Sequence, residues 1–249
     1  MDWMRSNRVV RIGDVDGDGR TEFVVTTAYL YNGVIQVYDG ATCTLKRQSA
    51  EYGNRSFTAL AVGDVDNDGK KEIVAAENGD GGIHLIVFDG ATMQEKWRSV
   101  DLSVSYGPAY DIKLSDLDKD GHLDIIVSLT DSRLIVFDGV NHTLKLMIES
   151  PARAIEVADV DGDGFLEILV GRKDGKIDVY DGVTFAIKRT VFTYGTTSID
   201  ALKVADLTVR VHHSGRVRRR GSRVGRRTIR ATTRARLDGH GLLQDVREI

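Results

Sequence analysis

Asp14-Val-Asp-Gly-Asp-Gly-Arg-Thr-Glu22 returns three more times with the same internal spacing, as Asp64-Val-Asp-Asn-Asp-Gly-Lys-Lys-Glu72, Asp116-Leu-Asp-Lys-Asp-Gly-His-Leu-Asp124 and Asp159-Val-Asp-Gly-Asp-Gly-Phe-Leu-Glu167. Each copy places carboxylates at positions 1, 3, 5 and 9. These are Asp14, Asp16, Asp18 and Glu22; Asp64, Asp66, Asp68 and Glu72; Asp116, Asp118, Asp120 and Asp124; and Asp159, Asp161, Asp163 and Glu167. Such carboxylates converge on one point only if the chain curls tightly, and the glycine at position 6 permits that curl. The backbone carbonyl at position 7 (Arg20, Lys70, His122 or Phe165) adds an oxygen whatever side chain it bears. A hard cation that takes about six to eight oxygens at about 2.3–2.6 Å matches this donor set. The spacing predicts about four Ca²⁺ ions, one per loop. Asp and Gly also mark ordinary turns; four copies with one spacing weigh against that reading.

An EF-hand loop begins the same way but requires a bidentate Glu at position 12 and a helix on either side. Position 12 here is Val25, Ala75, Val127 or Val170. Each loop runs into a short, β-branched apolar stretch, Phe23 to Thr26 in the first copy, too short for a helix and suited to a strand. These are loops between strands.

The repeat is longer than the loop. Its first Asp falls at 14, 64, 116, 159 and 206, steps of 50, 52, 43 and 47 residues. That spacing marks propellers and other arrays. A second landmark keeps pace: Gly33 to Thr42, Gly82 to Thr92, Arg133 to Asn141 and Gly175 to Thr184 are apolar strands that end in Asp-Gly, a strong signal for a tight hairpin. A further strand follows each turn, so each unit holds four strands with the acidic loop joining the first and second. The predicted architecture is all-β: a β-propeller of four-stranded antiparallel blades, about four blades plus an incomplete fifth. Blades are expected at about 7–53, 54–106, 107–150 and 151–195, with a fifth starting at 196–207. Because a ring must close to hide its sheet edges, the chain reads as a fragment of a larger propeller, with a five-bladed closure as the weaker alternative.

The acidic loops and the recurring Val-Tyr/Phe-Asp-Gly turn resemble the FG-GAP and VCBS repeat families, whose best-known members are the propellers of integrin α subunits. The resemblance covers Val9 to about Asp206. It implies Ca²⁺ in the four loops, on the lower face of the propeller, and it implies no particular ligand.

Composition agrees with a turn-dense all-β chain: 26 Gly against 2 Pro, with 41% hydrophobic residues among 249. Cys43 stands alone, which excludes an intramolecular disulfide. No apolar run is long enough to span a membrane. The N-terminus Met1 to Arg8 has no apolar core of a signal peptide. Because rigid calcium loops suit the millimolar Ca²⁺ outside cells, an extracellular or cell-surface location is expected, with the signal lost along with upstream sequence.

Charge divides the chain. Residues 208–249 hold 12 Lys and Arg against 3 Asp and Glu, whereas residues 1–207 hold 22 against 34. Ser198 to Asp206 opens like an inner strand and acidic loop, yet the chain then reads Thr208-Val-Arg-Val-His-His213. Three readings stand for this Arg-rich tail: a reading-frame slip near codon 208, a degenerate capping blade, or a basic arm for an anionic partner. It lacks the interleaved aromatics that stack on bases, so a nucleic-acid partner is not expected.

In an up-and-down blade the acidic loops and Asp-Gly turns share one face. The opposite face gathers tyrosines: Tyr29, Tyr31, Tyr52, Tyr106, Tyr110 and Tyr194. They are candidate contacts for a protein or glycan, or else they seal the gaps between blades. The six histidines form no ligand set, and the paired carboxylates are committed to the metal loops, so no catalytic site is expected. The sequence thus predicts a non-enzymatic, Ca²⁺-stapled adhesion or interaction module. The rival readings are a carbohydrate-active, lyase-like enzyme, to which Arg55, Arg153 and Arg172 would contribute, and a purely structural array.

Overall fold

The computed structural model describes residues 6–28, 32–79, 81–103, 107–192, 198–204, 208–213 and 229–234, with backbone alone for 6–8, 27–28, 192, 208–213 and 229–234. Four antiparallel sheets account for most of them. The first holds β1 (Ser6–Gly13), β2 (Glu22–Ala28), β3 (Asn32–Asp39) and β4 (Leu45–Gln48), with the short β5 (Tyr52–Gly53) paired to β3. The second runs β6 (Arg55–Gly63), β7 (Glu72–Gly79), β8 (Gly82–Asp89) and β9 (Glu95–Arg98). The third runs β10 (Ala109–Ser115), β11 (Asp124–Leu129), β12 (Arg133–Asp138) and β13 (Leu144–Glu149). The fourth runs β14 (Ala152–Ala158), β15 (Glu167–Arg172), β16 (Lys176–Asp181) and β17 (Ile187–Phe192). No helix occurs among the described residues. The acidic loop joins the first and second strand of each of these four sheets, as the spacing predicts.

Each inner strand carries a register shift at the same place, between Asn7 and Val9, Phe57 and Ala59, Ala109 and Asp111, and Ala152 and Ala154. A bulge of this kind sharpens local twist, which a blade needs where it meets the axis. The central strands are apolar on both faces because each middle sheet is covered twice. Three cores result. One joins Val24, Ile35 and Val37 to Phe57, Leu60, Ile73 and Phe88, a second joins Val74, Leu85 and Val87 to Ile112, Ile125 and Val127, and a third joins Ile126, Leu134 and Val136 to Ile155, Ile168 and Val170. Sheet therefore packs on sheet in chain order, and the inner strands β1, β6, β10 and β14 are neighbours in that order.

The Asp-Gly turns are not the two-residue hairpins that the dipeptide predicts. The loop from β3 to β4 closes with the Asp39 N–H donating to Thr44 O (2.9 Å) and the Cys43 N–H donating to Asp39 O (2.8 Å). The residue four after the aspartate, rather than the glycine, is left-handed: Cys43 at φ 56°, Met93 at 61°, His142 at 60° and Phe185 at 58°. The aspartate side chain holds the turn, since Asp39 Oδ1 accepts from the Thr42 N–H (2.7 Å) and hydroxyl (2.9 Å), and Asp181 does the same with Thr184. Three of these left-handed residues wedge against the preceding blade. Met93 and Phe185 join the cores there, and His142 stacks on Trp97 with ring centroids 4.3 Å apart. Cys43 is exposed. Replacing Cys43 with glycine therefore relieves a left-handed strain without losing packing, with an expected gain of about 0.5 kcal/mol after the added chain entropy of glycine. Urea denaturation of the single variant checks it.

The expected inner strand at Ser198 does not form. Ile199 lies beside β15, its N–H donating to Arg172 O (3.0 Å), but residues 198–204 belong to no strand. An inner strand needs a second strand to pair with, and the sequence after 207 supplies no acidic loop to lead into one. Val204–Ile249 is a separate unit in which β18 (Thr208–His213) and β19 (Ile229–Arg234) pair antiparallel.

Candidate metal centre

The four acidic loops fold alike because the same backbone demands recur in each. Positions 4 and 6 are left-handed throughout: Gly17 and Gly19, Asn67 and Gly69, Lys119 and Gly121, Gly162 and Gly164. That conformation is free for glycine and tolerable for Asn. It turns the N–H groups inward onto the first aspartate. Asp14 Oδ1 accepts from Gly17 (2.8 Å) and Oδ2 from Gly19 (3.0 Å), and Asp159 repeats both with Gly162 (2.6 Å) and Gly164 (3.0 Å). The third aspartate accepts from the N–H of position 7 in all four loops at 2.8 Å. Position 9 opens the second strand and is buried, with Glu22, Glu72 and Glu167 fully enclosed and Asp124 2% exposed. One of its oxygens accepts from the N–H of position 2: Val15 (2.9 Å), Val65 (3.0 Å), Leu117 (3.3 Å) and Val160 (2.8 Å).

Ligand atoms of three carboxylates gather within 4.8 Å of one another in every loop: Asp14, Asp16 and Asp18; Asp64, Asp66 and Glu72; Asp116, Asp118 and Asp120; Asp159, Asp161 and Glu167. Oxygens around one Ca²⁺ at about 2.3–2.6 Å can lie that far apart. The remaining predicted carboxylates, Glu22, Asp68, Asp124 and Asp163, fall outside these threesomes. One oxygen in each of the first three loops, on the middle aspartate of the first two and on the first aspartate of the third, gives the clearest test of fit. Oδ1 of Asp16, of Asp66 and of Asp116 is buried and has no hydrogen-bond partner among the described residues, and the Asp16 side chain is only 7% exposed. A buried carboxylate oxygen left without a partner costs free energy, and a coordinated cation would remove that cost. The residues fit the ion.

One residue of the site was not foreseen. A lysine from the fourth strand reaches into each loop. Lys46 Nζ lies 2.7 Å from Asp16, 2.8 Å from Asp18 and 3.1 Å from Glu22. Lys96 contacts Asp66 and lies 3.0 Å from Glu72, Lys145 lies 2.9 Å from Asp118 and 2.6 Å from Asp124, and Lys188 lies 2.6 Å from Asp161 and 2.9 Å from Glu167. The signal was present in the sequence, because each lysine stands seven residues after the aspartate of the Asp-Gly turn: 39 and 46, 89 and 96, 138 and 145, 181 and 188. The charge balance differs along the loop. Lys46 and the Arg20 N–H hold the Asp18 carboxyl below its ordinary range, and Lys188 does so for Asp161. Burial pushes Glu72 and Asp124 above it even though a lysine touches each. For these two carboxylates a single ammonium does not offset the cost of burial.

The loops are tied to the contacts between blades. Position 2 sits between the first two aspartates of the loop, and its side chain is a core residue: Val15 packs with the second blade, Val65 with the third and Leu117 with the fourth. A glycine of the next blade's turn presses on the same backbone from the other side. A Cβ at Gly90 would lie 2.3 Å from Lys71 O and 2.4 Å from Val15 O, and one at Gly139 would lie 2.0 Å from Leu123 O and 2.8 Å from Val65 O. Loop geometry and inter-blade packing are thus one mechanical unit.

Comparison with known families rests on this repeating unit of loop, strand and turn. The FG-GAP-like repeat profile matches residues 14–75 and again residues 64–127, each span running from one acidic loop through the next. This chain carries FG-GAP-like repeats. The fourth loop, 159–167, repeats the same hydrogen bonds outside the matched spans. No curated protein sequence matches the chain. Among solved structures the fold is shared with the Dos1 propeller at 13% identity and a TM-score of 0.59, over 79% of this chain and 48% of that one. It is shared with the Cps50 (Swd1) β-propeller domain of Myceliophteria thermophila at 16% and 0.53, over 77% and 56%. The computationally designed Ika8 protein gives 16% and 0.54, over 81% and 63%. The chain therefore spans about half to three-fifths of the length of those chains, and the architecture is that of β-propeller blades.

On the opposite face two of the candidate tyrosines are described, and both are packed. The Tyr52 ring meets Phe57 edge-on at 5.1 Å and its hydroxyl bonds Glu95, while Tyr110 lies under the Arg153 guanidinium at 4.7 Å. Tyr29, Tyr31, Tyr106 and Tyr194 lie outside the described residues. The arginines of the enzyme reading are engaged: Arg55 with Glu77 (2.9 Å), Arg153 with Asp200 (3.2 Å) and Arg172 with Asp178 (2.7 Å).

Proposed function

We propose that these FG-GAP-like repeats form part of a Ca²⁺-stapled, non-enzymatic propeller module that binds protein or glycan on the face opposite the acidic loops, outside the cell or at its surface. The observation that carries the calcium reading is the buried, unpartnered Oδ1 of Asp16, Asp66 and Asp116 inside groups of carboxylates that fit one cation. Asp14, Asp64, Asp116 and Asp159 would hold the ion from the loop entry, with the aspartates at positions 3 and 5 and the carboxylate at position 9 completing the donor set. Bound metal would neutralise the clustered charge and fix the connection between the first and second strands. Because position 2 is also a core residue, the same ion would stiffen the seam to the next blade. The binding face is supported by the fold, which leaves the loops opposite the metal free to vary on a rigid scaffold.

Stability reports this directly. An ion that binds only the folded chain adds about 2.7 kcal/mol per site at a hundred times its Kd. Melting followed in EGTA and then in millimolar CaCl2 is expected to show a rise of several degrees with Ca²⁺, and a curve that does not move would remove the staple.

A further inference from the structure

The position-9 carboxylate has two oxygens, and in every loop both are taken. One accepts from the position-2 N–H, a bond internal to the loop. The other accepts from the fourth-strand lysine: Glu22 Oε1 from Lys46 (3.1 Å), Glu72 Oε1 from Lys96 (3.0 Å), Asp124 Oδ1 from Lys145 (2.6 Å) and Glu167 Oε1 from Lys188 (2.9 Å). The oxygen open to a metal at position 9 is thus the one that a lysine holds. The same lysine also takes Oδ2 of the middle aspartate in every loop: Asp16, Asp66, Asp118 and Asp161.

From this geometry we infer that the four lysines are exchangeable cations built into the blades: each neutralises its loop when no metal is present and is displaced from the position-9 oxygen when Ca²⁺ enters. This rests on the calcium reading and extends it. Two consequences follow from charge alone. A metal-free blade keeps its loop folded, because an ammonium at hydrogen-bond distance offsets part of the repulsion among three or four carboxylates. Metal affinity is set below what the donor set alone would give, because the incoming divalent ion must displace a like charge. The lysine's long flexible stem makes the exchange feasible. Its side chain is 20–27% exposed in the four blades, so the head has water to retreat into.

The wild-type chain tests this without any substitution. Brief acetylation followed by peptide mass spectrometry reads the accessibility of each amine, with Lys203, whose side chain is 80% exposed, as internal reference. Lys46, Lys96, Lys145 and Lys188 are expected to be protected in EGTA and to react at least about threefold faster in saturating CaCl2 as the ammonium leaves its carboxylates. In parallel, Lys96→Gln should lower the melting temperature in EGTA while tightening Ca²⁺ uptake at that loop by about tenfold in calorimetry, since the like charge is gone. Calcium uptake with unchanged lysine reactivity and no tightening in Lys96→Gln would overturn the exchange and leave the calcium reading standing. No uptake by either protein would overturn the calcium reading, and the exchange with it. Uptake by Lys96→Gln at a loop that is silent in the wild type would support the exchange in its strongest form.

Discussion

Glu72→Ala is expected to destabilise the chain by about 3 kcal/mol, the cost of stranding a buried backbone donor together with the cavity left by the side chain. Glu72 is fully enclosed, and its Oε2 accepts the Val65 N–H at 3.0 Å where Val65 is itself in the core between the second and third blades. Removing the carboxylate leaves that buried N–H without its partner. Lys96 loses one of three contacts and keeps Asp66 and Asp68, and because its side chain is partly exposed the electrostatic part of the loss is small. Glu72→Gln should cost less, about 1 kcal/mol, since the amide oxygen can still accept from Val65 while its NH2 faces the ammonium. Urea denaturation of the three proteins in EGTA checks the order. If Glu72→Ala and Glu72→Gln matched the wild type within a few tenths of a kcal/mol, the position-9 carboxylate would have no structural role.

Gly90→Ala is expected to be at least as damaging, about 3 kcal/mol or more, because the overlap is with backbone on two sides. The new methyl would sit 2.3 Å from Lys71 O within its own blade and 2.4 Å from Val15 O of the preceding blade. Neither carbonyl can swing away: Lys71 adjoins Glu72 and the start of β7, and Val15 lies between Asp14 and Asp16. The strain would therefore spread to the first loop, and weaker Ca²⁺ uptake at that loop should accompany the lost stability. A Gly90→Ala variant as stable as the wild type would show that the blades can slide apart at this point without cost.

Much of this was legible because a period is easier to read than a contact. The loop spacing at 14, 64, 116 and 159 placed every first-to-second connection, and the apolar runs after it placed the second strands. The Asp-Gly turns misled because the dipeptide's usual meaning is a conformation, whereas Gly90 is required for a close approach and the left-handed residue is Met93. Nothing about Cys43, Met93 or Phe185 as residue types signals a positive φ. The four lysines escaped notice for a different reason: a lysine in a short outer strand reads as solvated, and only its fixed distance of seven residues from the turn aspartate marks it as part of the site. The fifth unit shows the opposite limit. Ser198 to Asp206 has the pattern of an inner strand, yet without a following acidic loop the described part, 198–204, forms no strand.

The measurement that bears most directly on the account is calcium content: equilibrium dialysis of the EGTA-stripped chain against rising CaCl2, with bound metal counted by elemental analysis. Four ions per chain, one for each loop, is the predicted plateau, with Asp16→Ala and Asp66→Ala each lowering it by one. A plateau at zero in millimolar Ca²⁺ would contradict the account and leave the four loops as acidic turns neutralised by their lysines.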